Sequence, residues 1–249
     1  MGMIENKINW ILGTFGLEMK RTRYNPSLQT LLRHFFDQQK VDCVFDVGAN
    51  AGGYGRFLRH GVGYTGLIIS FEPVFSTHSR LQKYASRDAR WHTCQMALGG
   101  ENGTLTIHVA RDSVFSSFLA PYHGLIKSNQ GQNEIVAEEA VPVKRLDSIF
   151  AELQTRHGFQ RPYLKMDTQG FDREVLAGAH EVMPKLIGLQ SEISLLPIYA
   201  NMPGMSEMYP LISQSGFDLI GMYPVNVDCN MRWIEVDAVF AARDFDGLG

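Results

Sequence analysis

Apolar and polar positions recur along this chain with two periods, and together they predict a series of helices and strands. Over residues 26–40, Leu28, Leu31, Leu32, Phe35 and Phe36 fall at helical spacing and form one apolar face. Residues 43–47 are a short apolar run, followed by a glycine-rich turn and a helix-compatible segment, 52–60. A second apolar run, 67–71, precedes a helix over 76–86. Residues 91–98 read as a third strand ending at Gly99 and Gly100, and 103–110 alternate as a further strand. The polar stretch 111–139, with Ser116, Ser117, Pro121 and Gly131, is too long for a plain connection and reads as a lid or binding loop. Then follow a strand over 141–145, a helix over 146–156, a strand over 163–167, a helix over 171–180, a strand over 186–193 and a helix over 209–215. The last two strands, 217–225 and 233–242, are joined by a turn-rich link with no room for a helix. They should pair as an antiparallel hairpin.

The first apolar run ends in an acid: Phe45-Asp46-Val47-Gly48-Ala49-Asn50-Ala51-Gly52-Gly53-Tyr54-Gly55. Strand, glycine turn, helix is the order in which an α/β sheet holds a nucleoside cofactor at the carboxyl end of its first strand. The second run ends in Glu72, about 20 residues after Gly52, where a carboxylate can accept hydrogen bonds from both ribose hydroxyls. A dinucleotide fingerprint wants glycine where this chain has Asn50, so that backbone can touch a pyrophosphate. S-adenosylmethionine (SAM) has no pyrophosphate. Its amino-acid tail could be held by the turn, Asp46 and Asn50. The plainer alternative is that the glycines only permit a tight turn. A mostly parallel sheet ending in an antiparallel hairpin is also the arrangement of the common SAM-dependent methyltransferases.

Composition narrows the class. The 249 residues suffice for one full α/β domain. The expected division is a helical segment, 1–40, packed on the core, and a catalytic domain, 41–249. The net charge of −3 offers no basic field for nucleic acid. Three scattered cysteines with no CxxC argue against a disulfide framework or a zinc site and fit a reducing, cytoplasmic setting. No apolar run reaches about 18 residues, so no transmembrane helix is expected. Residues 1–20 lack the features of a signal peptide. They carry Ile4, Ile8, Ile11, Leu12 and Phe15 at helical spacing beside Trp10, with Lys20, Arg21 and Arg23 after them. That face suits packing on its own domain; peripheral docking on a membrane surface or a partner subunit is the alternative.

A second set of polar residues sits at the later strand ends. Alternation puts Lys165 and Asp167 on one side of their strand, with Asp167 at its carboxyl end, and Gln190 and Glu192 repeat the arrangement in the next strand. Two carboxylates at neighbouring strand tips could flank a substrate hydroxyl. Methyl transfer to an alcohol needs alignment and a base, and Asp167 and Glu192 are the candidates. The competing reading of Lys165 and Asp167 is a structural ion pair or a helix cap. Asp167, Gln169 and Glu192 match no metal-binding spacing, so no metal is expected. The eight histidines show no paired ligand spacing; His123, in the long polar stretch, is a weak acceptor-site candidate.

These pieces together resemble the FkbM family of SAM-dependent methyltransferases over about residues 28–243. The matching segments include Phe45 to Asn50, Ile69 to Pro73, Ala97-Leu98-Gly99, Ser116-Ser117, Leu164 to Asp167 with Gly170, and Val175 to Ala179. The resemblance implies a Rossmann-like class I fold: a mostly parallel seven-stranded sheet ending in an antiparallel hairpin, with helices on both faces. It implies SAM held by Asp46, Gly48, Asn50, Gly52, Tyr54, Glu72, Pro73, Ala97, Leu98, Ser117 and Asp167. It also implies O-methylation of a carbohydrate-type hydroxyl, with Asp167, Glu192 and Lys165 at the chemistry. Many members carry a glutamate where this chain has Gln169, so a base role of that glutamate does not carry over. Three rivals stand beside this reading. A nucleic-acid 2′-O-methyltransferase is disfavoured by the charge. An NAD-dependent dehydrogenase is disfavoured by Asn50 and the hairpin. A non-catalytic partner subunit is disfavoured by the intact Asp46, Gly48, Glu72 and Asp167.

Overall fold

The computed structural model describes residues 26–122 and 131–243. The amphipathic stretch at 1–20 and His123 lie outside them. The elements are α1 (Leu28–Gln39), β1 (Cys43–Val47), α2 (Gly53–Arg56) running on as a π-helical segment (Phe57–Val62), β2 (Leu67–Phe71), α3 (Phe75–Ala85), β3 (Trp91–Cys94), β4 (Ala97–Leu98), β5 (Gly103–Ala110), β6 (Ile135–Lys144), α4 (Leu146–His157), β7 (Pro162–Met166), α5 (Asp172–Ala177), β8 (Gly188–Ser194), α6 (Met205–Gln214), β9 (Phe217–Val227) and β10 (Trp233–Ala242).

The main sheet has seven strands in the order β3-β2-β1-β7-β8-β10-β9. The run from β3 to β8 is parallel. β10 inserts antiparallel between β8 and β9, and β9 and β10 form the expected hairpin. Strand order reverses at β1, which has β2 on one side and β7 on the other. At such a switch point the loops leaving the carboxyl ends part and open a crevice.

All five residues of β1 are buried because helices cover both faces. Cys43, Phe45 and Val47 pack into a core with residues of α4, α5 and α6. Val44 points the other way, into a core with Leu32, Phe35 and Phe36 of α1, Leu58 and Leu81. α1 starts where the Ser27 side chain accepts the Thr30 N–H, and it docks Phe36 edge-on to Tyr163 at 4.9 Å between ring centroids. Strand alternation therefore decides which core each β1 side chain meets.

Two elements depart from the sequence pattern. The strand expected over 91–98 is two strands. Met96 N–H folds back onto the Cys94 carbonyl, ending β3, and β4 then pairs with Val143 and Lys144 of β6 in a separate sheet of order β4-β6-β5. The polar stretch expected as a loop over 111–139 gives up its end to β6, which starts at Ile135 and pairs antiparallel with β5 from Ala110 back to Gly103. No helix among the described residues is long and apolar enough to cross a membrane. Cys43, Cys94 and Cys229 are all free.

Candidate active site

A cavity of about 610 Å³ opens over the carboxyl ends of the parallel strands, at the switch point. One wall is the turn after β1. Gly48, Asn50 and Gly52 all have positive φ there, at +76°, +47° and +82°. Gly48 cannot be anything larger: a Cβ would lie 1.9 Å from the Asp167 carbonyl oxygen, so the β1 turn and the end of β7 touch backbone to backbone. Gly53, in the cavity wall, would put a Cβ into open space.

Glu72, at the end of β2, lines the same cavity but is only 6% exposed. Its two carboxyl oxygens accept the N–H groups of Asn50 (2.9 Å) and Val74 (3.0 Å). Burial raises its pKa to about 7 against the pull of those two hydrogen bonds. Phe71, Pro73, Ala97 and Leu98 supply apolar wall beside it. An acceptor carboxylate next to an apolar slot suits a nucleoside, ribose on the acid and base in the slot. Asn50 has a further local duty, because its side-chain oxygen accepts from Ala51 N–H at 2.6 Å and Ser113 Oγ at 3.1 Å.

The end of β7, against that turn, holds the second set. Lys165 Nζ lies 2.9 Å from Asp167 Oδ2 and 3.8 Å from Asp46 Oδ1. Asp167 keeps 32% of its side chain exposed, while Lys165 keeps 5%. Burial pushes the Asp167 carboxyl up, but the Lys165 charge and its hydrogen bonds win and hold it below the usual range. Glu192 goes the other way, well above the usual range, through burial first and then the charge of Asp167. Lys165 is raised on balance: burial opposes its charge, and Asp167 and Asp46 restore it. The two carboxyls are thus pushed in opposite directions, Asp167 toward its charged form and Glu192 toward its protonated one.

Of the residues expected at a cofactor, Gly48, Asn50, Tyr54, Glu72, Pro73, Ala97, Leu98 and Asp167 line the cavity together, as do Lys165 and Glu192. Asp46, Gly52 and Ser117 do not. Asp46 falls on the alternate face of β1 from Val47, under the glycine turn. It is fully buried, accepts the Ser70 hydroxyl at 2.8 Å, and faces Lys165 from below. Gly52 packs against Leu81 and the Trp91 ring. Ser117 is 1% exposed and uses its hydroxyl to donate to the Gln169 carbonyl and accept Leu119 N–H; its neighbour Ser116 reaches the cavity instead.

Several lining residues went unnoticed in the pattern. Asn226 and Glu235 reach the cavity from the terminal hairpin, Glu235 with its pKa raised to about 7 by burial. Gln169, noted in the sequence only as a departure from the family pattern, stands between Asp167 and Glu192, and Tyr199, which the pattern did not single out, hydrogen-bonds to its amide oxygen. The only sequence signal for Asn226 and Glu235 was position, in the hairpin that ends the sheet. Among the described residues, no cluster of three or more His, Cys, Asp or Glu is placed to hold a metal ion.

The family model described as the methyltransferase FkbM domain matches residues 46–219. The crystal structure of an FkbM methyltransferase from Methylobacillus flagellatus KT is similar to this chain with a TM-score of 0.50 and 14% identity, over 81% of this chain and 43% of that one. Aeropyrum pernix fibrillarin with natively bound SAM is similar at a TM-score of 0.43 and 10% identity, over 80% and 66% of the two chains. Magnesium protoporphyrin IX methyltransferase from Synechocystis PCC 6803 with bound SAM matches at 0.43 and 8%, over 97% and 96%. The chain spans less than half the length of the FkbM structure. No curated protein matches it. The family match runs from Asp46, near the end of β1, through the Glu72, Asp167 and Glu192 strands, so the chain belongs to the FkbM methyltransferase family.

Proposed function

We propose that this protein is an O-methyltransferase that moves the methyl group of SAM to a hydroxyl of a carbohydrate-type acceptor, a glycan, a glycolipid or a glycosylated natural product. The observation that carries this reading is a carboxyl, Asp167, held 2.9 Å from the Lys165 ammonium and partly exposed in the same cavity as Glu72 and its apolar slot. SAM, when bound, supplies an electrophilic sulfonium methyl. Glu72 accepts from the ribose hydroxyls, Phe71, Pro73, Ala97 and Leu98 take the adenine, and Gly48, Asn50 and Tyr54 border the amino-acid tail.

Asp167 takes the proton of the acceptor hydroxyl. A carboxylate held below its usual pKa is a weak base toward a free alcohol, but the hydroxyl proton grows strongly acidic as oxygen bonds to the methyl carbon. A low-pKa base is therefore adequate late in the reaction. Lys165 keeps Asp167 ionised between turnovers, and the protonated Glu192 can donate to a neighbouring acceptor oxygen. Gln169, Asn226 and Glu235 add further polar groups on that side, which suits a polyhydroxylated acceptor. The free cysteines, Cys43 among them deeply buried, support a reducing, cytoplasmic setting.

Calorimetric titration with SAM, with its demethylated product and with NAD tests the cofactor, and methyl transfer from labelled SAM to a panel of neutral glycans and glycolipids tests the acceptor. Asp167→Asn should lower turnover about 10²–10⁴-fold and leave SAM affinity nearly unchanged. Weakened SAM binding with turnover intact at saturating SAM would remove Asp167 as the base.

A further inference from the structure

A third side chain joins the two acids of the site. Gln169 Nε2 lies 3.0 Å from Asp167 Oδ1 and 3.0 Å from Glu192 Oε2. A side-chain amide nitrogen carries two hydrogens, so one nitrogen can serve both carboxyls. The other end of the amide has a donor as well: the Tyr199 hydroxyl, with its single hydrogen shared between two acceptors, lies 2.9 Å from Gln169 Oε1 and 3.0 Å from the Phe115 carbonyl oxygen. Tyr199 is 2% exposed, packed with Ile198 and Ile234, and has little freedom to turn away. The Gln169 backbone is pinned too. Its φ is +53°, an unfavourable region for a glutamine, and its carbonyl accepts the Ser117 hydroxyl at 2.7 Å. A non-glycine residue held there by several contacts is backbone strain kept at a functional site.

We propose that Gln169, oriented by Tyr199, is the positioning residue of this site: its amide nitrogen latches the Asp167 and Glu192 carboxyls into one hydrogen-bonded pair. The catalytic consequence rests on the O-methyltransferase reading; the latch itself does not. Every element around the pair contributes a group that bears on it. Lys165 of β7 is 2.9 Å from Asp167 and favours its charge, with Asp46 of β1 behind that lysine. Glu235 and Asp237 of β10 disfavour a second charge on Glu192. Asp172 at the start of α5 is absorbed by hydrogen bonds from Thr168 and Ser191. Tyr199 is neutral. In that setting a donor shared by both carboxyls stabilises the charged member, and its loss raises the pKa of that member.

The test is a carboxyl ¹³C NMR titration of the full chain, with neither donor nor acceptor added. It reads the two apparent pKa values of the pair, with Asp167→Asn used to assign the signals. Gln169→Met keeps the side-chain length and removes the donor. The lower apparent pKa should rise by about one unit or more in Q169M, the loss of a hydrogen bond to a charged group. Tyr199→Phe should move it the same way by less, since the amide is then free to turn. Amide ¹H–¹⁵N spectra establish that each variant is folded; if Q169M is not, Y199F decides alone. No rise in a folded variant overturns the latch. A purely structural role for Gln169 would change stability without moving this titration. Absence of hydroxyl methylation would sink the proposed function and leave the titration result standing, so the two failures are distinct.

Discussion

Glu72 shows how much a single side chain can be asked to do. Both of its oxygens already hold backbone N–H groups that shape the turn and the start of α3, yet it faces the cavity. Each oxygen keeps a further lone pair, which is what two ribose hydroxyls require. Hydrogen bonds to a charged group contribute about 1.5–3 kcal/mol each, so Glu72→Ala should weaken SAM binding at least about tenfold in calorimetry. The removal also leaves two N–H groups unpaired, and a melting curve run alongside separates lost binding from lost fold. With the Glu72 pKa at about 7, only the ionised form serves both hydroxyls, so SAM affinity should rise as pH rises through neutrality. A wild-type affinity that stays flat across that range would remove Glu72 from the cofactor contact.

Elements are held in register by contacts that no single strand reveals. β1 and β7 run side by side, and the turn after β1 sits so close to the end of β7 that Gly48 is obligatory. Gly48→Ala combines a backbone clash with a positive φ and should cost about 2–4 kcal/mol in urea unfolding. Gly63 makes the control: its φ is +79°, but a Cβ there meets nothing within 4 Å, so Gly63→Ala should cost only about 1 kcal/mol. Equal losses would mean that the β1–β7 approach tolerates a side chain. Both glycines stand in plain view in the sequence, and only their surroundings separate them. The same limit explains what else was legible. Strands buried on both faces, such as β1 and β7, announce themselves as apolar runs ending in acids. β6 does not, because its first half is exposed and carries Glu138 and Glu139, and its partner β5 lies far back in the chain. Asp46 was legible as an acid at a strand end, but not as one fully buried against Ser70 and Lys165, since alternation gives a side only once neighbouring elements are placed. Gln169 was legible as a departure from the family pattern. Its role depends on Glu192 and Tyr199, which are distant in sequence and meet it only in the folded sheet.

At the scale of the whole molecule, the site opposes the fold over a definite range of pH. Glu72 and Glu235 have pKa values of about 7, and Glu192 lies well above the ordinary 4.5, in each case through burial first. Between about 4.5 and 7 the folded protein retains protons that the unfolded chain has released. By linkage, stability contributed by these groups is fully present below their unfolded pKa and is lost as pH rises through the folded one. His78 and His157 act the other way: burial lowers both, so the unfolded chain binds their protons more readily and stability rises with pH below 6.5. Asp167, lowered, has its effect at more acid pH. The raised carboxyls, which also include Asp46, Asp172 and Asp237, outweigh two imidazoles, and urea unfolding of the cofactor-free protein should become easier from about pH 5 to pH 8, by on the order of several kcal/mol. Saturating SAM should flatten that decline, because ribose hydroxyls bonded to Glu72 favour its charged form. Unfolding that grows harder over this range without cofactor would show that these acids are not held protonated by the fold. The buried carboxyls of the site would then exert no pull against stability, and cofactor binding at Glu72 would have no such penalty to relieve.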